Sequence, residues 1–480
     1  MEFIKLEHLQ RKIEKIKKHF YGTEDLIDRS FCLRSGTKFA LFYFESLTDV
    51  NILKENVITP LLEHNTNDMH IFSSNVITTS TKLVSAWDEI IEEMLDGNSV
   101  LLLDGVTQAL VIDTKGGAER TVMEPVSEMI IQGPHDGFIE NISKNIGLIR
   151  KYVPSSHLTA TRLKIGRRTP VKGYLVYLKD MASETIVKEV ENRIKNIKID
   201  TILNVGELSN VIKDQRWTPF PQAYISERPD AIARHILEGR IAVLIDRSPG
   251  VMVVPVNLMC FFHPPDDYNI HWLICSFLRL LRFLGFIIAM FLPAIYIATV
   301  SFHFEIIPLN LYINIAASRA EVPFYPLTEA IIMEITLEML REAGVRIPQP
   351  IGQTIGIVGG IVIGQAAIEA GLVSNTMVVI VSITAIASFL IANYDLANCA
   401  RLIRFPIMIL ASCYGILGIV SGIIMLMVHL VTISSFGAPY VSFCVQNIKN
   451  EIKKFSSSKI LRLFSASASK QMGNKGDIDE

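Results

Sequence analysis

Long stretches of the second half of this chain carry no charge, and that limits the fold more than any motif. Phe283 to Phe302 has no ionisable residue. Ile347 to Tyr394 has one, Glu369, and Phe405 to Asn447 has one, His429. A helix needs roughly 20 apolar residues to cross a hydrocarbon core of about 30 Å. The runs predict about four spans, at 281–302, 350–369, 374–393 and 406–433. Before residue 270, charges recur every few residues. The overall 50% apolar and 20% charged residues, with mean hydropathy +0.35, therefore average two unlike regions. A net charge of −2 argues against a general nucleic-acid binder, which is usually strongly basic. Cys32, Cys260, Cys275, Cys399, Cys413 and Cys444 are scattered, with no Cys-x-x-Cys pair. They read as small buried hydrophobes, not as a disulfide framework or a zinc site.

The N-terminus has no apolar core of a signal peptide. Lys5, Arg11, Lys12, Lys15, Lys17 and Lys18 alternate with apolar residues at helical spacing. This predicts a basic amphipathic helix at 1–24, either resting on an anionic leaflet or solvated. Without export the N-terminal domain is expected to be cytoplasmic. Arg279 and Arg282 before the first span agree with that. An even span count returns the basic tail, 441–480, to the same side. The loop 303–350 then faces outward, and so do Arg401 and Arg404.

The charged half contains an internal repeat. Phe39-Ala-Leu-Phe-Tyr-Phe44 and Tyr174-Leu-Val-Tyr-Leu178 each lead into a helix with Lys-Glu, at 54–55 and 188–189. At an offset of 134, Tyr43 falls on Tyr177. A second match has an offset of 142. It sets Leu95-Asp-Gly and Leu101-Leu-Leu-Asp104-Gly105 on Leu237-Glu-Gly and Val243-Leu-Ile-Asp246-Arg247. Strands alternating with helices predict two α/β lobes, 25–132 and 133–270. Two lobes with a cleft suit a small ligand, or serve assembly alone. No nucleophile elbow, phosphate loop or His-Glu-x-x-His appears. No catalytic residue, metal or cofactor is expected, so the chain does not read as an enzyme. Asp104 and Asp246 end apolar strands, where Asp serves turns. Arg162, Lys164, Arg167 and Arg168 read as a solvated basic patch or a partner contact.

The membrane domain, 271–440, carries two patterns. Gly352, Gly356, Gly360 and Gly364 lie four apart and share a helix face, with Gln353 and Gln365 nearby. Gly418 and Gly422, with Ala411 and Gly415, repeat the device. Glycine lets helices approach closely in lipid, within one subunit or between subunits. The segment from Tyr325 to Gly344 carries Glu329, Glu334, Glu338 and Glu342, the last three on one face. Carboxylates in a membrane are costly unless they meet water or a cation. In a symmetric oligomer they form acidic rings that favour cations. Alternatively this is an amphipathic surface helix. Glu369 reads as a turn cap.

Many short motifs resemble the GerA family of spore germinant-receptor A subunits. They include Gly133-Pro-His-Asp-Gly-Phe138, Ile165-Gly-Arg-Arg168, Pro219-Phe-Pro-Gln222 and Glu227-Arg-Pro-Asp230. Glu238-Gly-Arg-Ile-Ala-Val-Leu-Ile-Asp246, Glu338-Met-Leu-Arg-Glu-Ala-Gly344, Pro348-Gln-Pro-Ile-Gly-Gln353 and Arg404-Phe-Pro406 continue the match. The resemblance implies a protein of the spore inner membrane with its N-terminal domain in the spore core. It implies a transporter-like B subunit and a lipoprotein C subunit as partners. It also implies a homo-oligomer, a pentamer, around a nutrient-gated cation path. The competing readings are a secondary transporter of the nutrient and a non-conducting scaffold. Arg247 stands where the family usually has glycine. Arginine suits positive φ poorly, so that turn is expected to change shape. Ala392-Asn393-Tyr394, followed by Asp395, departs from the family's Pro-Ser-Tyr. The expected fold is a duplicated α/β N-terminal domain followed by an α-helical multi-pass membrane domain.

Overall fold

The computed structural model describes residues 4, 8–32, 37–63, 76, 78, 80–116, 128, 133–345 and 364–441. Gly352, Gly356, Gly360 and Gln353 lie outside the described residues, as does the tail beyond 441. The chain forms two compact units. One takes 1–216, 222–256 and 435–438, and the other takes 217–221, 257–434 and 439–480.

The first unit is an α/β duplication. Copy one runs α1 (Leu9–His19), β1 (Leu26–Cys32), β2 (Lys38–Phe44), β3 (Thr81–Val84), α2 (Trp87–Leu95), β4 (Ser99–Leu103) and β5 (Ala109–Ile112). Copy two runs α3 (Ile142–Tyr152), β6 (Leu158–Ile165), β7 (Val171–Leu178), α4 (Glu184–Lys195), α5 (Val205–Ile212), β8 (Tyr224–Ser226), α6 (Pro229–Leu237), β9 (Ile241–Ile245) and β10 (Val251–Val254). The two antiparallel sheets have orders β1-β2-β4-β5-β3 and β6-β7-β9-β10-β8, which are the same order. The registers agree with the sequence offsets. Phe39 lies opposite Leu103. Moving these two by 134 and 142 gives Gly173 and Ile245, which are again partners. Leu101 and Leu110 pair, and so do Val243 and Met252, both shifted by 142.

The central strands β2, β4 and β5 of copy one read as apolar runs because both faces of their sheet are covered. Side chains alternate faces along a strand. Ala40, Phe42 and Phe44 join one core, with Val100, Leu102 and Trp87. Phe39, Leu41 and Tyr43 join the other, with Leu101 and Leu103. Leu9, Ile16 and Phe20 of α1 and its approach belong to the first core. This corrects the expected leaflet-bound or solvated helix, because its apolar face is spent on the sheet. Lys12 is buried beneath it and donates to the Leu103 and Val106 carbonyls. The Leu9 N–H donates to Asp104 Oδ1 at 2.9 Å. Asp104 thus serves its turn and also meets an otherwise orphaned helix donor.

The Arg247 turn keeps its shape, contrary to expectation. Gly105 has φ +73° and Arg247, its counterpart at offset 142, has φ +69°. The Asp104 N–H donates to the Lys38 carbonyl, and the Asp246 N–H to the Lys172 carbonyl. The Arg247 N–H donates to the Glu140 carbonyl at 2.8 Å. The sheet sets this turn, and arginine accepts a strain of about 1–2 kcal/mol.

The second unit is a helical bundle: α7 (Trp272–Ser301), α8 (Leu309–Arg319), α9 (Pro326–Val345), α10 (Gly364–Glu369), α11 (Asn375–Phe389), α12 (Tyr394–Tyr414) and α13 (Ile416–Thr432). Two of these, α7 and α12, are long and apolar enough to cross a membrane. The reading of 406–433 as one span needs correction. The segment is cut at Gly415, with φ +61°, and α13 folds back on α12. A Cβ on Gly418 would meet the Leu410 carbonyl oxygen at 2.0 Å, so glycine is required there. Gly422 and Gly364 are in ordinary contact range of Leu410 and Val378. Gly285 of α7 was missed in the sequence, although a Cβ there would crowd Leu390 at 3.0 Å. Arg401 and Arg404 also need correction, because they lie within α12 and not in an outward loop.

Candidate functional site

In the first unit a cleft of about 1500 Å³ opens between the copies. One wall is the turn after β2, with Glu45, Ser46 and Asp49, together with Glu92 and Asp96 at the end of α2. The other is α3, with Asn141, Ser143, Lys144, Arg150 and Lys151. Both signs line each wall, with Lys115 beside the acids of copy one and Asp136 beside the bases of copy two. Asn141 Oδ1 accepts from the Ser143 and Lys144 N–H groups and caps α3. A Cβ on Gly147 would fall 2.2 Å from the Ser46 carbonyl oxygen, so glycine lets α3 reach copy one.

Arg150, which lines the cleft, makes a buried ion pair that joins the two copies. Arg150 Nε and Nη2 donate to the two Asp25 oxygens at 2.7 and 2.6 Å. Ser46 Oγ adds a donor to Asp25 Oδ2 at 2.9 Å, and the guanidinium lies 4.3 Å from the Phe44 ring centroid. Arg150 is 1% exposed, and its Nη1 is buried without a hydrogen-bond partner. A planar guanidinium holds a carboxylate at two points.

A second polar cluster lies on copy two. Ser226 Oγ donates to Glu128 Oε2 at 2.8 Å and accepts from the Arg228 N–H at 3.1 Å. Arg228 reaches both Asp230 oxygens, at 3.1 and 2.8 Å. Burial raises the Glu128 pKa to about 7, offset in part by the Ser226 hydrogen bond and Arg228. Nothing in the sequence marked this residue. The folded state then holds a proton that the unfolded chain has lost, so stability falls as pH rises from about 4.5 to 7 and levels off above. Glu128→Gln should remove this slope and raise the melting temperature above pH 7, with up to about 3 kcal/mol at stake. Melting curves from pH 5 to 8 on both chains check it. Parallel curves at every pH would contradict the assignment.

In the second unit the four predicted acids lie on α9 and meet different surroundings. Glu329 is buried. Its Oε2 accepts from the Ser374 N–H and Oγ at 3.1 and 2.9 Å, and Oε1 lies 3.3 Å from Arg319 Nη2. Glu334 is buried and pairs with Arg404, whose Nε donates to the Ala289 carbonyl at 2.6 Å. Glu338 is partly exposed and pairs with Arg401 at 3.1 Å and Arg341 at 3.2 Å. Glu342 is exposed. Thr328, Ile332, Ile335 and Met339 are exposed with it, at alternating spacings of four and three, as one outward stripe. Three acids therefore turn into the bundle to meet arginines, and one faces out. The sequence showed the acids but not their partners.

Arg162 and Lys164 of β6 and Arg167 and Arg168 in the turn after it are exposed, which suits a solvated patch and a partner contact equally. Gln365 donates to Glu369 at 3.0 Å, one turn on in α10.

Comparison with known proteins places these features in a family. The chain matches the model of the Bacillus/Clostridium GerA spore germination protein over residues 14–465. It is 38% identical to "Spore germination protein KA" of Bacillus subtilis (strain 168) over 455 residues, covering 92% of this chain and 84% of that one. It is 37% identical to "Uncharacterized membrane protein YfkQ" of the same organism over 450 residues, covering 93% and 88%. The crystal structure of the N-terminal domain of the A subunit of the Bacillus megaterium spore germinant receptor GerK3 aligns with 27% identity and a TM-score of 0.42. That alignment covers 53% of this chain and 96% of that one. The chain belongs to the GerA family of spore germination proteins.

Proposed function

We propose that this chain is the nutrient-sensing A subunit of a spore germinant receptor in the spore inner membrane. The helical unit crosses the bilayer, and the duplicated unit lies in the spore core. The chain is a receptor and channel component, not an enzyme. It works with a transporter-like B subunit and a lipoprotein C subunit, and assembles as a ring of its own copies, a pentamer, around a cation path.

The observation that carries this reading is the acid-bearing helix α9 inside an apolar bundle. Charges in a bilayer persist where they have work to do. Glu329 and Glu334 are matched by arginines from α8 and α12. This holds α9 in one orientation and turns Thr328, Ile332, Ile335, Met339 and Glu342 outward. Around a symmetry axis that stripe becomes an apolar wall with an acidic ring near one end. Such a ring draws cations, and an apolar constriction gates by dewetting. A scaffold would need neither.

Chain direction supports the crossings. Glu329 meets Ser374, and Arg341 reaches Ser388, so α9 and α11 run the same way. Ala289 beside Arg404, and Phe302 beside Gly415, show that α7 and α12 also run the same way. Arg401 then lies toward the side where α7 begins, as the positive-inside rule prefers. The cleft over Arg150 is the site where a small nutrient with both charges would fit, since its walls carry both signs.

Glu342→Gln should lower nutrient-triggered potassium efflux from spores several-fold at unchanged protein level. Unchanged efflux would remove Glu342 from the cation path. Nutrient uptake by the reconstituted oligomer without ion leak would favour a transporter.

A further inference from the structure

The chain has three tryptophans. Trp87 is 5% exposed within the core of copy one, whereas Trp217 is 99% exposed. Trp217 opens the short segment Trp217–Pro221, which belongs to the helical unit although its neighbours in sequence belong to the other. The rest of the segment is firmly seated. Thr218 and Phe220 are buried. Thr218 Oγ1 lies 2.8 Å from His429 Nε2, and the Phe220 N–H donates to Thr218 Oγ1 at 3.2 Å. The Phe220 ring is 6.0 Å from the His429 ring and 6.3 Å from that of Tyr440. The indole is thus held outward, with nothing of its own unit covering it.

Its place along the bundle is set by His429. That residue stands in the last turn of α13. The start of α13 packs Gly415 against Phe302 and His303, so the His429 turn is at the opposite end, about 20 Å away. Between them α13 exposes Leu417, Val420, Ile424, Met425 and Val428. The 17 residues of α13 are about 25 Å long, a little short of a hydrocarbon core of about 30 Å, so the His429 end lies close to the level where acyl chains give way to headgroups. Indole is favoured in that layer, because its ring prefers the apolar side and its N–H needs a polar partner. Arg216, exposed and next in sequence, supplies a cation for lipid phosphate. A fully exposed indole on a Pro-flanked loop leaves a large apolar surface in water unless something covers it.

We infer that Trp217 is an interfacial membrane anchor, seated in the phospholipid headgroup layer at the His429 end of α13. The inference rests on the reading that the helical unit crosses a bilayer. It adds a lipid contact to a segment flanked on both sides by the α/β duplication.

Full-length wild type and Trp217→Phe are reconstituted in phosphatidylcholine–phosphatidylglycerol vesicles, and the difference between their emission spectra reports Trp217. The side chain touches little of the protein, so the variant should fold. The difference signal should be blue-shifted from that of free tryptophan and should resist aqueous acrylamide. It should lose most of its intensity to lipid brominated near the headgroup, and less to lipid brominated near the methyl end. Strong acrylamide quenching with no effect of brominated lipid would overturn the anchor. So would shielding from both quenchers, which would point to a second copy covering the indole. Flotation with the vesicles is scored separately. A chain that does not float removes the membrane reading and the anchor with it, whereas a chain that floats with Trp217 in water removes the anchor alone.

Discussion

Arg404→Ala should lower the unfolding free energy of the full chain in detergent by about 3–5 kcal/mol, the usual cost of breaking a buried ion pair from one side. Arg404 is 3% exposed, Glu334 is 1% exposed, and the guanidinium also holds the Ala289 carbonyl on α7. The single variant leaves a carboxylate in the bundle without its cation and frees an acceptor on a neighbouring helix. Replacing both partners, Glu334→Met with Arg404→Met, should recover most of the loss, because an apolar pair of similar volume avoids the desolvation cost. Thermal or denaturant unfolding of the three chains tests this. A single-variant loss below about 1 kcal/mol, the range of exposed pairs, would mean that the two groups are not buried together.

Arg150→Ala should be of the same size, about 3–5 kcal/mol, and should report from the first unit. Asp25 would keep Ser46 but lose both guanidinium bonds. Arg150→Lys should recover less than half, since an ammonium cannot make two parallel bonds or lie flat on the Phe44 ring. The readout is unfolding followed by tryptophan fluorescence, because Trp87 sits in the core of copy one. Full rescue by lysine would show that charge alone matters at this site.

The duplication was legible in sequence because strands carry apolar runs that repeat at fixed offsets. The first helix of copy one was legible as a helix, but its packing was not, because its six basic neighbours pointed to its polar face. Its burial depends on Phe42, Phe44 and Trp87, which the helix's own pattern does not reveal. The charge-free run at 406–433 hid the fold-back at Gly415, since apolar composition is blind to a positive φ. The acids of α9 were plain, but their pairing was not. Glu334 and Arg404 are seventy residues apart, and no periodicity links them. The cleft was expected from two lobes, yet the ion pair that joins Asp25 to Arg150 spans 125 residues.

The registers also record where this gene has accepted changes of length. Leu26 and Leu158 begin equivalent strands at an offset of 132, β2 and β7 differ by 134, and everything from β3 to β5 differs by 142. Length has therefore changed at two places: the tip of the first hairpin and the connection between the second and third strands. From residue 81 to 112, against 223 to 254, the two copies keep the same length and the same register. Their helices coincide as well, 87–95 against 229–237. The first part of each copy has been free to drift apart in outline, while the second part has been kept as an interchangeable module.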